Sequence, residues 1–201
     1  MRIGNAARYV TQILLGTTLL VPATNFYARL SPQSPPNIGV NGFLAVDKAQ
    51  RGRTLQAAVV MGIPLGFHVN ANRPLEKFLI ATQLQIEAPT GVRVGRVSYP
   101  RAVLRNLKFS KSRVSVYEGR AIMYFSVTVP ANFRSGSTEL KARLRYQSCN
   151  DDFCFPPQTR EVTLPITVVG ANESVKRVNG QYFGGDRRGQ RKGERGNRGT
   201  G

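Results

Sequence analysis

The chain has 201 residues, a formal charge of +18 and 41% hydrophobic residues, with no Trp, 12 Pro and 20 Gly. That apolar content excludes a chain disordered throughout, and a domain of about 110 residues needs no cysteine staple to fold. Residues 170–201 hold eight Lys/Arg against three Asp/Glu, so the basicity is spread along the chain. A diffuse positive field attracts anionic partners, or it is a solvated surface; it does not specify a fold.

At the amino terminus, Arg2 and Arg8 precede an apolar stretch at residues 13–22, followed by small residues. This order predicts a secretory signal over residues 1–23, with Val21-Pro22-Ala23 as the cleavage region. The run is short for a membrane span, which needs about 20 residues, so an uncleaved anchor is the alternative. No Cys stands directly after it, which excludes a lipoprotein anchor. Residues 24–41 read as a linker, because Ser31-Pro32-Gln33-Ser34-Pro35-Pro36 sustains neither helix nor central strand.

From Leu55 the texture changes to short apolar or alternating runs. Residues 56–63, 78–88, 92–98, 113–117, 121–130, 139–148 and 160–169 read as strands. In the clearest of them, Leu140, Ala142, Leu144 and Tyr146 share one face, and Lys141, Arg143 and Arg145 share the other. That pattern describes a half-buried antiparallel strand. Turn residues separate the runs at Ala88-Pro89-Thr90-Gly91, Tyr117-Glu118-Gly119 and Arg134-Ser135-Gly136-Ser137. About seven strands over some 115 residues predict an all-β, immunoglobulin-like antiparallel sandwich over residues 42–169. Residues 170–201 are Gly- and Arg-rich and read as a disordered basic tail. Such a tail can bind an anionic polymer, or it can simply solubilise or tether the protein.

The two cysteines, Cys149 and Cys154, lie four residues apart between a strand end and Pro156-Pro157. In an oxidising compartment a pair this close forms an intramolecular disulfide. As a staple it closes a loop of about six residues, worth only about 2 kcal/mol, against nearly 5 for a loop of about 100. The residues themselves leave redox exchange and an inert staple both open. Two thiols and one histidine, His68, do not make a zinc set, so neither metal nor cofactor is expected. The spacing is not Cys-x-x-Cys and no βαβ pattern surrounds it. Asp151 and Asp152 oppose a thiolate if they approach either sulfur; Arg145 and Arg160 are candidate counter-charges.

Three stretches carry a resemblance: Gly66-Phe67-His68-Val69-Asn70-Ala71-Asn72, Val116-Tyr117-Glu118-Gly119, and Leu144-Arg145-Tyr146-Gln147-Ser148-Cys149 through Cys154-Phe155-Pro156-Pro157-Gln158-Thr159. Through them, residues 42–169 resemble the amino-terminal domain of the thiol:disulfide interchange protein DsbD. The resemblance implies an exported, periplasmic immunoglobulin-like domain. Such a domain takes electrons from a membrane-embedded disulfide reductase through a thioredoxin-like domain and passes them to oxidised disulfide isomerase-like proteins. It implies that Cys154 forms the mixed disulfide and Cys149 resolves it, with Phe153 and Phe155 beside the pair. It also implies a cap loop near residues 105–111, with Phe109 as the cap side chain. Aromatic residues that flank the site in the family correspond here to His68 and Asn70, which makes these surroundings more polar. The family's membrane and thioredoxin-like domains do not occur in this sequence, so the electron donor is expected to be a separate protein. The competing expectation is an exported binding module with an inert disulfide and a basic surface for anionic polymers.

Overall fold

The computed structural model describes residues 34–184. The signal at residues 1–23, most of the linker and the tail beyond Gly184 lie outside the described residues. Along the chain the strands are β1 (Gly39–Leu44), β2 (Ala49–Gln50), β3 (Thr54–Gly62), β4 (His68–Asn70), β5 (Gln83–Glu87) and β6 (Arg93–Val94). They continue with β7 (Val103–Arg105), β8 (Val114–Tyr117), β9 (Arg120–Thr128), β10 (Gly136–Tyr146), β11 (Ser148–Cys149) and β12 (Gln158–Val169). One four-residue helix, α1 (Gly180–Phe183), follows.

They form three four-stranded sheets, ordered β1-β3-β9-β6, β2-β12-β10-β5 and β11-β4-β8-β7. All pairings are antiparallel except β2 with β12. The first two sheets enclose the main core, as period-two alternation requires. Ala57, Val59 and Met61 of β3 and Met123, Phe125 and Val127 of β9 meet Leu140, Leu144 and Tyr146 of β10 and Leu164 and Ile166 of β12. Leu140, Ala142, Leu144 and Tyr146 are fully buried or nearly so, while Lys141, Arg143 and Arg145 are exposed. The predicted immunoglobulin-like sandwich is the fold observed. Gly42 faces Leu164 of the other sheet at close quarters: a Cβ on Gly42 would stand 2.6 Å from the Leu164 Cγ. Only a glycine fits there, and β1 therefore reads from sequence as linker rather than strand.

The third sheet is built from chain continuations. β4 follows β3 after Pro64, β8 precedes β9 across Glu118-Gly119, and β11 follows β10 after Gln147. Gly119 takes φ 60°, a left-handed conformation that costs glycine least, and its carbonyl accepts the Ile63 amide at 2.6 Å. These breaks release three long strands into a small separate sheet, and that sheet carries both cysteines' surroundings.

Residues 170–184 differ from the disordered tail predicted for them. Phe43, Ala58 and Tyr124 form a row on the outer face of the first sheet, as the register Phe43↔Ala58↔Tyr124 shows. The segment covers this row. Tyr182 lies with its ring centroid 4.2 Å from Phe43, Phe183 meets Tyr124 edge-on, and the Tyr124 hydroxyl donates to the Tyr182 carbonyl at 2.6 Å. The Val178 amide donates to the Ala45 carbonyl and the Lys176 amide to Asp47. The apolar residues of the segment, Val175, Val178, Tyr182 and Phe183, follow no period that sequence reading detects.

Candidate functional site

Cys149 and Cys154 face each other across a tight hairpin. The Phe155 amide donates to the Ser148 carbonyl at 2.8 Å and the Asn150 amide to the Phe153 carbonyl at 3.0 Å. The cysteines between them occupy a non-hydrogen-bonded antiparallel position, where Cα atoms come closest. Their Cα atoms lie 3.9 Å apart and the sulfurs are bonded as a disulfide. Asn150 shapes the turn, its Oδ1 accepting the amides of Asp152 and Phe153 at 2.9 and 2.8 Å, an Asx turn. The two sulfurs are not equivalent. Cys149 is wholly buried, and Cys154 is only partly so.

On one side the pair meets a small apolar cluster of Leu79, Leu107, Val114 and Val116, against which both Cys154 and Phe109 pack. The loop carrying Phe109 is tied to the cysteine turn: the Lys108 amide donates to the Asp151 carbonyl at 2.8 Å, and Lys108 Nζ reaches Asp152 at 2.9 Å. Asp152 in turn holds the Lys108 ammonium above its ordinary range. Phe109 thus stands on the same cluster as the exposed sulfur. Phe153 is 40% exposed beside Cys154 and packs edge-on against the buried Phe155, which also faces Phe67.

On the other side stands β4. His68 is the register partner of Cys149, and directly opposed residues share a face. His68 Nδ1 lies 2.9 Å from Glu118 Oε1, and Nε2 lies 3.1 Å from Asp151 Oδ1. Glu118 is gripped in turn by Arg105, whose Nε and Nη2 donate to its two oxygens at 2.7 and 2.6 Å. This Arg105 bond, with the charges of Arg105 and His68, holds the Glu118 carboxyl below its ordinary value, against the opposing effect of burial. The groups that face Asp151 and Asp152 are His68 and Lys108. Arg145 and Arg160, the cations nearest in sequence, sit on the long strands β10 and β12.

Asn70 is fully buried and lies 3.8 Å from Cys149 Sγ through its Oδ1. Its Nδ2 donates to Gln147 Oε1 at 2.9 Å. Gln147 Oε1 also accepts the Ile80 amide, and Gln147 Nε2 donates to the Phe155 carbonyl. His68 and Asn70 both lie beside Cys149. The sequence includes Arg105 and Lys108 in the expected cap loop and Glu118 and Gln147 in the resembling stretches, but their partners here are remote in the chain and are not read from it. Among the described residues no group of His, Cys, Asp and Glu is arranged to hold a metal ion, and no helix is long and apolar enough to cross a membrane.

A disulfide whose two cysteines differ in burial offers an external thiol the less buried one, Cys154. The family comparison agrees with that chemistry. The family described as thiol:disulfide interchange protein DsbD, N-terminal, matches residues 41–166. No curated protein matches the sequence. Among solved structures, the reduced DsbD N-terminal domain of Neisseria meningitidis is similar at 19% identity and a TM-score of 0.38, covering 69% of this chain and 88% of that one. The N-terminal periplasmic domain of ScsB from Proteus mirabilis is similar at 10% identity and a TM-score of 0.46, covering 73% of this chain and 51% of that one. Because the family match spans more than half of its residues, the chain belongs to the family of N-terminal domains of the thiol:disulfide interchange protein DsbD, whose general chemistry is thiol–disulfide interchange.

Proposed function

We propose that this protein is an exported, periplasmic thiol–disulfide carrier that relays electrons through Cys149 and Cys154. Its donor is a thioredoxin-like protein or domain served by a membrane-embedded disulfide reductase. Its acceptors are oxidised extracytoplasmic proteins of the disulfide isomerase kind. Cys154 exchanges with partners and Cys149 resolves the mixed disulfide. Phe109 is the cap side chain, and Lys108 and the Asp151 carbonyl hold its loop over the pair.

The observation that carries this reading is the asymmetry of the pair: Cys149 is 0% exposed, while Cys154, opposite it in the hairpin, is only partly buried. A staple is a poor account of the same bond. Its hairpin is already closed by the Ser148–Phe155 and Asn150–Phe153 backbone bonds, and a six-residue loop yields only about 2 kcal/mol.

Exchange proceeds through a mixed disulfide that a second thiol releases, so removing the resolving sulfur traps the complex. The expected result is that Cys149→Ser accumulates a reducible covalent complex with a thioredoxin-like protein carrying a single active-site Cys, and Cys154→Ser does not. Trapping by Cys154→Ser alone would reverse the roles.

A second reading, an inert binding module for anionic polymers, has one observation in its favour. A cleft of about 700 Å³ near the carboxyl-terminal segment is lined by Lys48, Arg53 and Arg177 and by no acidic side chain. In that case neither cysteine variant traps a partner.

A further inference from the structure

We infer that Asn70 is a fixed hydrogen-bond acceptor for the thiol of Cys149, which it keeps protonated whenever the disulfide is open. This deepens the exchange reading above and rests on it.

The polarity of the contact is set from the backbone outward. A backbone amide can only donate and a backbone carbonyl only accept. The Ile80 amide donates to Gln147 Oε1 at 3.0 Å, and the Phe155 carbonyl accepts Gln147 Nε2 at 3.1 Å. These two fixed groups determine which end of the Gln147 amide is which. Gln147 Oε1 then accepts Asn70 Nδ2 at 2.9 Å, which determines the Asn70 amide as well. Its oxygen, and not its nitrogen, faces Cys149 Sγ at 3.8 Å. Asn70 is 0% exposed, so water does not compete for that oxygen as it would at a surface.

In the disulfide the sulfur has no proton, and the contact is not a hydrogen bond. A buried amide oxygen gains from a donor beside it, and opening the disulfide makes the Cys149 sulfur one. An external thiolate attacks Cys154 Sγ, the intermolecular S–S bond forms, the Cys149–Cys154 bond breaks, and its electron pair leaves on Cys149 Sγ. A thiolate there would face the negative end of the amide dipole. The sulfur therefore takes up, through solvent, the proton that the attacking partner thiol released on ionising, and shares it in a hydrogen bond to Asn70 Oδ1. A second thiol of the same partner then attacks the partner's own sulfur in the mixed disulfide and releases Cys154 as thiolate. Two electrons have passed to this chain.

A thiol is a far weaker nucleophile than its thiolate. Holding Cys149 as a thiol slows its return onto Cys154, which lengthens the life of the mixed disulfide. It also assigns the two sulfurs different characters in the reduced protein: Cys154 is the thiolate former, and Cys149 is the proton-bearing partner. Gln147 is a positioning residue, acting on the sulfur only through Asn70.

The test is the thiolate absorbance of Cys149 in reduced Cys154→Ser protein, followed against pH. Asn70→Leu, close to Asn in volume, should move the titration about one pH unit lower, since a single hydrogen bond of this kind is worth about 1 kcal/mol. Asn70→Asp places a charge at the same point and should move it about one pH unit higher. Opposite shifts support the inference, because a merely structural disturbance would move both variants the same way. Equal titrations in all three proteins, or shifts of one sign, overturn it. Should Asn70→Leu fail to fold, Asn70→Ala takes its place, with a downward shift in support and no shift or an upward one against. The titration needs no partner, so it can fail while mixed-disulfide trapping succeeds, and trapping can fail while it succeeds.

Discussion

His68 has a carboxylate on each ring nitrogen, and only one of the two is itself anchored. Glu118 is fastened by Arg105, whereas Asp151 belongs to the exposed cysteine turn, its side chain 66% open. The tie from Arg105 through Glu118 and His68 to Asp151 thus joins β7, the β8–β9 turn, β4 and the turn between the two sulfurs. The Glu118 carboxyl is held below its ordinary value near 4.5. A depressed carboxylate contributes stability above the unfolded value that is lost as pH falls through the lower folded one. Glu118→Gln should therefore lower Tm by about 2–4 °C at pH 7. That deficit should close as pH drops well below 4.5, where the native carboxylate is itself protonated. Melting curves of both proteins between pH 7 and 3 check this. A constant deficit would mean that Glu118 acts by packing and not by charge.

At the scale of elements, what sequence patterning shows depends on whether a strand has a dry face and a wet face. β10 has both, and its alternation of Leu140, Ala142, Leu144 and Tyr146 with Lys141, Arg143 and Arg145 is read directly. β4 has neither: His68, Val69 and Asn70 are all buried, so three residues give no period at all. β1 contains two glycines, one of them required by Leu164, and glycine lowers strand propensity. The two-residue strands β2 and β11 exist only through pairing with distant partners. The carboxyl-terminal segment is the largest departure. Its docking rests on Phe43 and Tyr124, residues far away in the chain, and nothing local to Tyr182 announces them. Aromatic pairs of this kind contribute about 1 kcal/mol beyond the area that they bury. Tyr182→Ala should therefore lower Tm by about 2–4 °C, measured by thermal unfolding. No change would show that the segment rests on the sheet without stabilising it.

For the molecule as a whole, the sandwich holds a small third sheet at one place, and the disulfide sits in a hairpin against that sheet. The cysteines, and His68 and Asn70 beside them, were legible because Tyr-Gln-x-Cys-x-x-x-x-Cys-x-Pro-Pro and its companion stretches resemble a known family. The polar ties that define the site were not. Glu118, Asp151, Lys108 and Gln147 reach their partners across sequence separations that no local pattern encodes. Charge reads differently again: the described basic residues lie on loops as well as strands, and at the cysteine turn Asp151 meets His68 and Asp152 meets Lys108. The central claim is that this pair exchanges in the folded protein, and its reduction potential tests that most directly. Equilibrating the native protein in glutathione and thioredoxin buffers should give a value between about −200 and −270 mV, the range of exchanging pairs. A value below about −300 mV, typical of structural disulfides, with the bond resisting dithiothreitol in the folded state, would contradict the account.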